Sequence, residues 1–588
     1  MVFWIALLGD VYFFPTTSRV NENGTVEEYS IMSGGSLTEM VDGMLDRALD
    51  LLERGNYYRA FTTLVNANLT MNQLLPMLGK DISDMDERRA KYYYIMGRLR
   101  LETGFPEKAL ECVRRGIELT RDFGLLMNLF QIAGGAYAKL DRMEEWEGLL
   151  ENSGLPEEKR IYARLSMLFG AGKAKVSEEN YDEALEIFKR ALKIALANLD
   201  EKDGYVLLAY QNLAWSYSMA GDYSNALSFY EKALNLSQKY LGRKHEKTAD
   251  IYFEMATVYR SMGNYTAALN NYFASLEIRK EVLGEDHSLV ASTYMDIAET
   301  FSEAKDCKNA VNFANRALEI YSRVYGDSDP ETAKAYQRAA FLCRDCGAYG
   351  ESLRMLDEAL RILRGLYGDI SYPVAYVVEE KGFVYLEAGD FRNALKTFKD
   401  SIKVFSEIEK KYKVMKGDPL DFARAYNGLA STYLSLYYRN HRKSDLRNAL
   451  RYSLSALDIY REELGEGHYY TISQYMGVGQ IYEMLKKYAR ALEYFKKSLD
   501  LSLKSFGEES RVTADAYAKI AATYVDMGKY KKALPYYLKA VAIREKVFGK
   551  SNPVVLRSYL FLADIYENLG EKEQAEKYRS MAGAVRED

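Results

Sequence analysis

One interval, 42 residues, governs most of this chain. Ala214, Ala256, Ala298, Ala340 and Gly382 follow one another at that step. Each anchor sits in the same surroundings. Tyr210, Leu213 and Tyr217 flank Ala214, and after Gly221 come Tyr223, Ala226, Leu227, Tyr230, Ala233 and Leu234. One step on, Tyr252, Tyr259, Gly263, Tyr265, Ala268, Leu269 and Leu276 fill the corresponding places. Steps of 48 and 49 lead to Ala430 and Gly479, and the original step then returns for Ala521 and Ala563. With Ala48, Gly97, Gly134 and Gly172 the anchors number thirteen. A chain of 588 residues is beyond the reach of one hydrophobic core. A unit of this length cannot bury both its faces, so units must stack and share a core that runs along the stack.

Each unit reads as two helices. Tyr210, Leu213, Ala214 and Tyr217 recur at spacings of three and four, as do Ala226, Leu227, Tyr230, Ala233 and Leu234. These are apolar stripes of amphipathic helices. The small residues at 214 and 226 let the pair approach closely, and Gly221 stops the first helix by adopting positive φ. Between units stand Leu241-Gly242-Arg243-Lys244-His245, Leu283-Gly284-Glu285-Asp286-His287, Tyr325-Gly326-Asp327-Ser328-Asp329-Pro330 and Leu464-Gly465-Glu466-Gly467-His468. There Gly ends the second helix, and a polar side chain offers an acceptor to the next first helix.

The pattern predicts an all-α solenoid of antiparallel helix pairs. Residues 39–158 hold divergent repeats, 159–406 the regular array, 407–472 a unit with insertions, and 473–588 the closing units with a capping helix. The stretch 125–155 is a degenerate unit, because Trp146 stands where a small residue belongs. Residues 1–38 are expected to form a small irregular or β-hairpin cap, turning at Asn23-Gly24. Their apolar run Val2–Leu8 is short and follows no Lys or Arg, which argues against a signal or spanning segment.

The fifty tyrosines suit such a chain, since the flat ring fills a helix seam while the hydroxyl reaches a polar partner. A net charge of −5 with both signs interspersed does not forecast nucleic acid. Four cysteines are too few for a disulfide framework and suggest a reducing, cytoplasmic setting. Export through an atypical amino-terminal signal is the alternative.

The small–aromatic–Gly–Tyr–Ala–aromatic–Ala pattern resembles the tetratricopeptide repeat family over about residues 40–582. The 42-residue step with its L-G-x-x-H or G-x-x-x-P linker is similar to the kinesin-light-chain-like branch. The resemblance implies a right-handed superhelix whose first helices line a concave groove for extended peptides or partner helices. Lys305 and Cys307 depart from the pattern's Gly and Tyr, and the heptad segment of a motor light chain is missing.

Catalytic and metal constellations are not evident. His245, His287 and His468 occupy equivalent linker positions a full repeat apart, whereas zinc ligands converge within about 2 Å of one ion. A turn-and-cap role fits them better. Cys343-x-x-Cys346 has redox or zinc spacing but lacks a second pair or a βαβ setting, which favours packing. No phosphate loop or nucleophile elbow finds the strand it requires, and no cofactor is expected.

Candidate binding residues are those flanking the first-helix stripe. They are Gln211, Asn212 and Trp215; Phe253 and Arg260; Met295; Lys334, Gln337, Phe341 and Arg344; Phe383; and Asn427. Amides suit a peptide backbone and aromatics its side chains, while Arg260, Lys334 and Arg344 suit an acidic or terminal carboxylate. The basic stretch Tyr437–Asp445 interrupts a pair, as loop-length variation, a protrusion or a hinge. These features favour a non-enzymatic scaffold for a protein or peptide partner, without nucleic acid or membrane. A peptide sensor that changes superhelical pitch, and an accessory subunit of an enzyme, are the alternatives.

Overall fold

A computed structural model of the chain describes residues 37–53, 57–74, 85–411 and 419–583. Most of the expected amino-terminal cap therefore lies outside the described residues. Those described form 26 α-helices and no strand, paired two by two, with one of the thirteen anchors inside the first helix of each pair. They divide into two compact units, residues 1–284 and 285–588.

The pair Gly204–Met219 and Tyr223–Tyr240 in the first unit shows the rule. Gly221 turns the chain with φ 79°. Where that glycine is absent the backbone keeps its course: Lys305 and Lys486 take φ 64° and 58°, at a cost of roughly 1–2 kcal/mol each. At first-helix starts the linker residue caps, as expected. The Nδ1 atoms of His245, His287 and His468 accept from the backbone N–H of Lys247, Leu289 and Tyr470 at 3.1–3.2 Å. A threonine one turn later then donates back to the linker glycine. Thr248, Thr332, Thr471 and Thr513 reach the carbonyls of Gly242, Gly326, Gly465 and Gly507 at 2.8 Å. Second helices usually begin with an acceptor as well: Asn180, Asp222, Asn264, Asp306 and Asp390 each take the N–H three residues on. Lys487 and Lys529 hold that place without a side-chain cap.

The tyrosines explain themselves in the core. A second-helix ring lies between two first-helix rings seven residues apart. Phe229 sits between Tyr210 and Tyr217 at 6.3 and 5.6 Å, and Phe313 between Tyr294 and Phe301 at 6.0 and 5.4 Å. Tyr452, Tyr494, Tyr536 and Tyr578 repeat the arrangement. Each ring pair adds about 0.5–1.5 kcal/mol beyond the area it buries. One residue along, bulk on one helix meets smallness on the other. A Cβ on Gly382 or Gly479 would stand 2.7 Å from the ring of Phe398 or Phe495.

The degenerate unit has a definite form. Its second helix shrinks to Trp146–Glu151, and Trp146 is buried. The first helices Phe123–Lys139 and Glu157–Ser177 close over the gap instead. They meet backbone to backbone, since a Cβ on Gly134 would overlap the carbonyl of Met167 and one on Gly170 that of Gln131.

One reading of the cysteines is corrected. Cys346 does not simply pack; it is disulfide-bonded to Cys307, with Cα atoms 5.4 Å apart, joining two neighbouring pairs of the second unit. The C-x-x-C spacing concealed this. Cys343, three residues earlier, turns inward against the sulfur of Met355 at 3.8 Å, and burial pushes its thiol up to about 11. Non-reducing peptide mapping should join the peptides of Cys307 and Cys346 and leave Cys112 and Cys343 as slowly alkylated thiols. A Cys343–Cys346 crosslink would contradict the fold here. Gly134→Ala and Gly170→Ala should each destabilise by about 3 kcal/mol. Gly148→Ala, with open space around it, should be neutral or stabilising by up to about 1 kcal/mol in denaturant titration.

Candidate functional site

In the first unit each first helix touches the next. In the second, Ser288–Glu303 touches Pro330–Asp345, Tyr372–Glu387 touches Pro419–Asn440, and Tyr469–Met484 touches Arg511–Asp526, so outward residues of successive first helices lie in a row. The candidate residues fall on these helices, but they do not share one role.

In the first unit Gln211 is half-buried. Asn212 is buried and donates to the carbonyl of Leu208 at 2.9 Å, so its amide is spent within the helix. Trp215 stands edge-on to Phe188 at 6.5 Å and fills a seam between pairs. Phe253 stands edge-on to Tyr272 at 5.2 Å. Above Phe253 lies the guanidinium of Arg279, 4.7 Å from the ring, held by Asp250 at 3.0 Å. Arg260 is half-buried at the end of the same helix. A separate cleft of about 590 Å³ opens between second helices, lined by Leu192, Lys193, Leu196 and Phe229 among others. It is not part of the row.

In the second unit Met295 is fully buried. Its place on the helix matches that of Gln211, but an unbranched thioether packs into the seam rather than facing out. Lys334 pairs with Glu331 at 2.8 Å, and Gln337 is half-buried beside it. Phe341 is 51% exposed, the guanidinium of Arg344 lies 4.6 Å from its ring, and Arg344 in turn approaches Glu387 at 3.6 Å. Phe383 turns edge-on to Phe398 at 5.0 Å, and Asn427 donates to the hydroxyl of Tyr460 at 3.1 Å. Phe341 and Arg344 are thus brought together at the surface, while Asn212, Trp215, Met295 and Phe383 are drawn into packing.

Two arginines that the stripe rule left out, Arg338 and Arg424, run between these positions. Arg338 reaches Asp296 and Glu299 of the preceding first helix at 3.3 and 2.6 Å. Arg424 Nε donates to Glu379 Oε2 at 2.6 Å, and the Tyr376 hydroxyl contacts both oxygens of Asp421 at 2.8 Å. The signal was present in the period: Arg338 stands one step after Asp296, so opposite charges at equivalent positions of neighbouring units become ion pairs. Burial outweighs Arg424 and raises the Glu379 carboxyl above its ordinary 4.5, and Glu380 is raised for the same reason. Among the described residues no group of three or more His, Cys, Asp or Glu could hold a metal ion, and no helix is long and apolar enough to cross a membrane.

A stack of paired helices carrying a mixed polar and aromatic row is the architecture of a helical-repeat binding module. The model of the tetratricopeptide repeat matches residues 164–239, 220–272, 247–323, 421–504 and 512–582, more than half of the chain. The chain belongs to that family. Solved structures similar to it include BtubC (BKLC) from P. vanneervenii, at 20% identity over 41% of this chain and 92% of that one, with a TM-score of 0.34. The apo form of RapI shows 15% identity over 72% and 97%, with a TM-score of 0.40. Yeast Tom70 shows 15% identity over 84% and 97%, with a TM-score of 0.38. No match is found among curated proteins.

The raised Glu379 carboxyl sets the sign of a pH effect. The folded state keeps that proton to higher pH than the unfolded chain does. Its contribution is therefore most favourable below about 4.5 and is lost as pH rises through the folded-state value. Glu379→Gln should flatten that decline in denaturant melts between pH 4 and 7. An identical slope in wild type and variant would show that Arg424 compensates the burial fully.

Proposed function

We propose that this chain is a non-enzymatic scaffold that holds an extended segment of a partner protein along its rows of first helices. Phe341 carries the reading. A large ring half in water, with a guanidinium laid over it, stands in a row whose other aromatics are packed away. Such a pair offers an apolar contact and a charge to a partner side chain, the kind of anchor that dominates interface energies. Around it the Arg338 and Arg424 ion pairs fix the row without exposing one net sign. The preferred segment is extended, with an apolar residue for Phe341 and an acidic one for Arg344; Arg260 in the first unit offers the same chemistry. The 42-residue step and its linker support placement in the kinesin-light-chain-like branch of the family. Gly134 and Gly170 lock the irregular unit backbone to backbone, which disfavours that unit as the hinge of a pitch-changing sensor.

Phe341→Ala with Arg344→Glu should release the partner. Because the Arg344 side chain is only 18% exposed and approaches Glu387, the exchange should also cost about 1–2 kcal/mol, with a melt confirming that the fold persists. Affinity capture from the host lysate, wild type against this variant, is the check. A protein held by the wild type and lost by the variant is the expected result. Equal captures by the folded variant would remove the first-helix row as the binding surface.

A further inference from the structure

Three consecutive helix turns in the second unit carry a charge unlike the rest of the chain. They join Pro419–Asn440 to Lys443–Glu463, Tyr469–Met484 to Tyr488–Phe506, and Arg511–Asp526 to Tyr530–Phe548. Across residues 438–446, 484–491 and 527–533 stand Arg439, Arg442, Lys443, Lys486, Lys487, Arg490, Lys529, Lys531 and Lys532, against the single carboxylate Asp445. In the equivalent turns before them Asp306 stands with Lys305 and Lys308, Glu351 stands without a basic residue, and Asp390 faces Arg392. In the one after, Glu571 and Glu573 flank Lys572, so none carries a comparable excess of positive charge. The basic block is bounded at both ends.

Because the pairs stack in one orientation, the three turns lie along one edge of the unit. The first is extended by six helical residues relative to its neighbours and reaches the second, where the Tyr438 hydroxyl meets the sulfur of Met484 at 3.8 Å. All nine basic side chains are exposed. Arg490 pairs with Glu493 at 2.9 Å; the other eight make no ion pair with a described residue.

Local structure gives no reason for these cations. Lys487 and Lys529 replace the Asp or Asn that caps other second helices, and so place positive charge at the positive end of the helix dipole. Lys486 replaces the turn glycine and takes a left-handed backbone. Such breaches of local rules, side by side and without a structural partner, mark function rather than folding.

We propose that this edge is a second docking surface, separate from the first-helix rows, and that its occupant is an extended acidic segment of a partner protein. Neighbouring helices pack about 10 Å apart, so the edge spans about 20 Å. Six to eight residues of extended chain, at about 3.3 Å each, would cover it. Lysines dominate, acting as mobile point charges suited to a run of carboxylates. A nucleic-acid strand would call for a groove and a series of stacking rings. Here the charges crown turns, and the rings among them are Tyr438, 62% exposed, with Tyr488 and Tyr530 half-buried. A membrane would call for apolar side chains beside the cations, and Tyr438 stands alone in that respect.

The test uses the full chain and a fluorescent decaglutamate peptide, followed by anisotropy as salt is raised. Binding that weakens steadily with salt is expected. Arg442→Asp with Lys487→Asp and Lys529→Asp should weaken it at least tenfold, while melting no earlier than wild type because Asp restores the caps. The Phe341→Ala, Arg344→Glu variant should bind the peptide as wild type does, which separates this surface from the row. No binding by the wild type, or equal binding by the triple Asp variant, would overturn the proposal. So would an oligothymidylate of equal charge, or phosphatidylserine vesicles, binding through the same residues tenfold more tightly than the peptide.

Discussion

The fold rests on a contact that recurs along the chain: an apolar side chain of the second helix, a ring in six of the pairs, set against the first helix where that helix is smallest. At Gly382 and Gly479 the partner is phenylalanine, and a single added Cβ would collide with it. At Ala214 and Ala256 it is tyrosine, and both rings are buried. The neighbouring ring sandwiches then hold the two helices in register. Among the described residues there is no strand and the core is divided along the stack, so stability is a sum of such local seams and tight packing within each pair carries the structure.

That arrangement frees other parts of the chain. A residue on the outward side of a first helix, or at the tip of a turn, contributes little to the seam and can vary. Phe341 with Arg344 uses the first freedom. The lysines at 486, 487, 529, 531 and 532 use the second. The two surfaces differ in character: the first-helix row is cross-linked by ion pairs between neighbouring units, and the edge of turns holds like charges apart. On the proposed reading, a scaffold with both would grip one partner by shape and another, or a different part of the same one, by charge.

The irregular places are informative for the same reason. Where Trp146 displaces the small residue, the second helix is cut to one and a half turns, and glycines at 134 and 170 let two first helices take over the contact. Where Lys305 and Cys307 break the turn signature, a disulfide to Cys346 joins the adjoining pair. Each departure from the pattern is answered by a different contact.

Much was settled by the sequence alone. The 42-residue step, the stripes and the linker glycines determine helix pairs, their number and their stacking, because only a unit that buries its faces against identical neighbours can recur in that way. Caps were equally legible, since His245, His287 and His468 act on backbone two residues away. What needed the tertiary structure is whatever depends on side-chain direction across a seam. Equivalent positions put Gln211 at the surface and Met295 inside, Phe341 in water and Phe383 against Phe398. The partner of Cys346 was hidden behind a nearer cysteine. Periodicity places a residue on a helix face to within about a quarter turn. Whether its side chain then points into the seam or out of it is decided by the volumes it meets there, and those belong to the neighbouring helices.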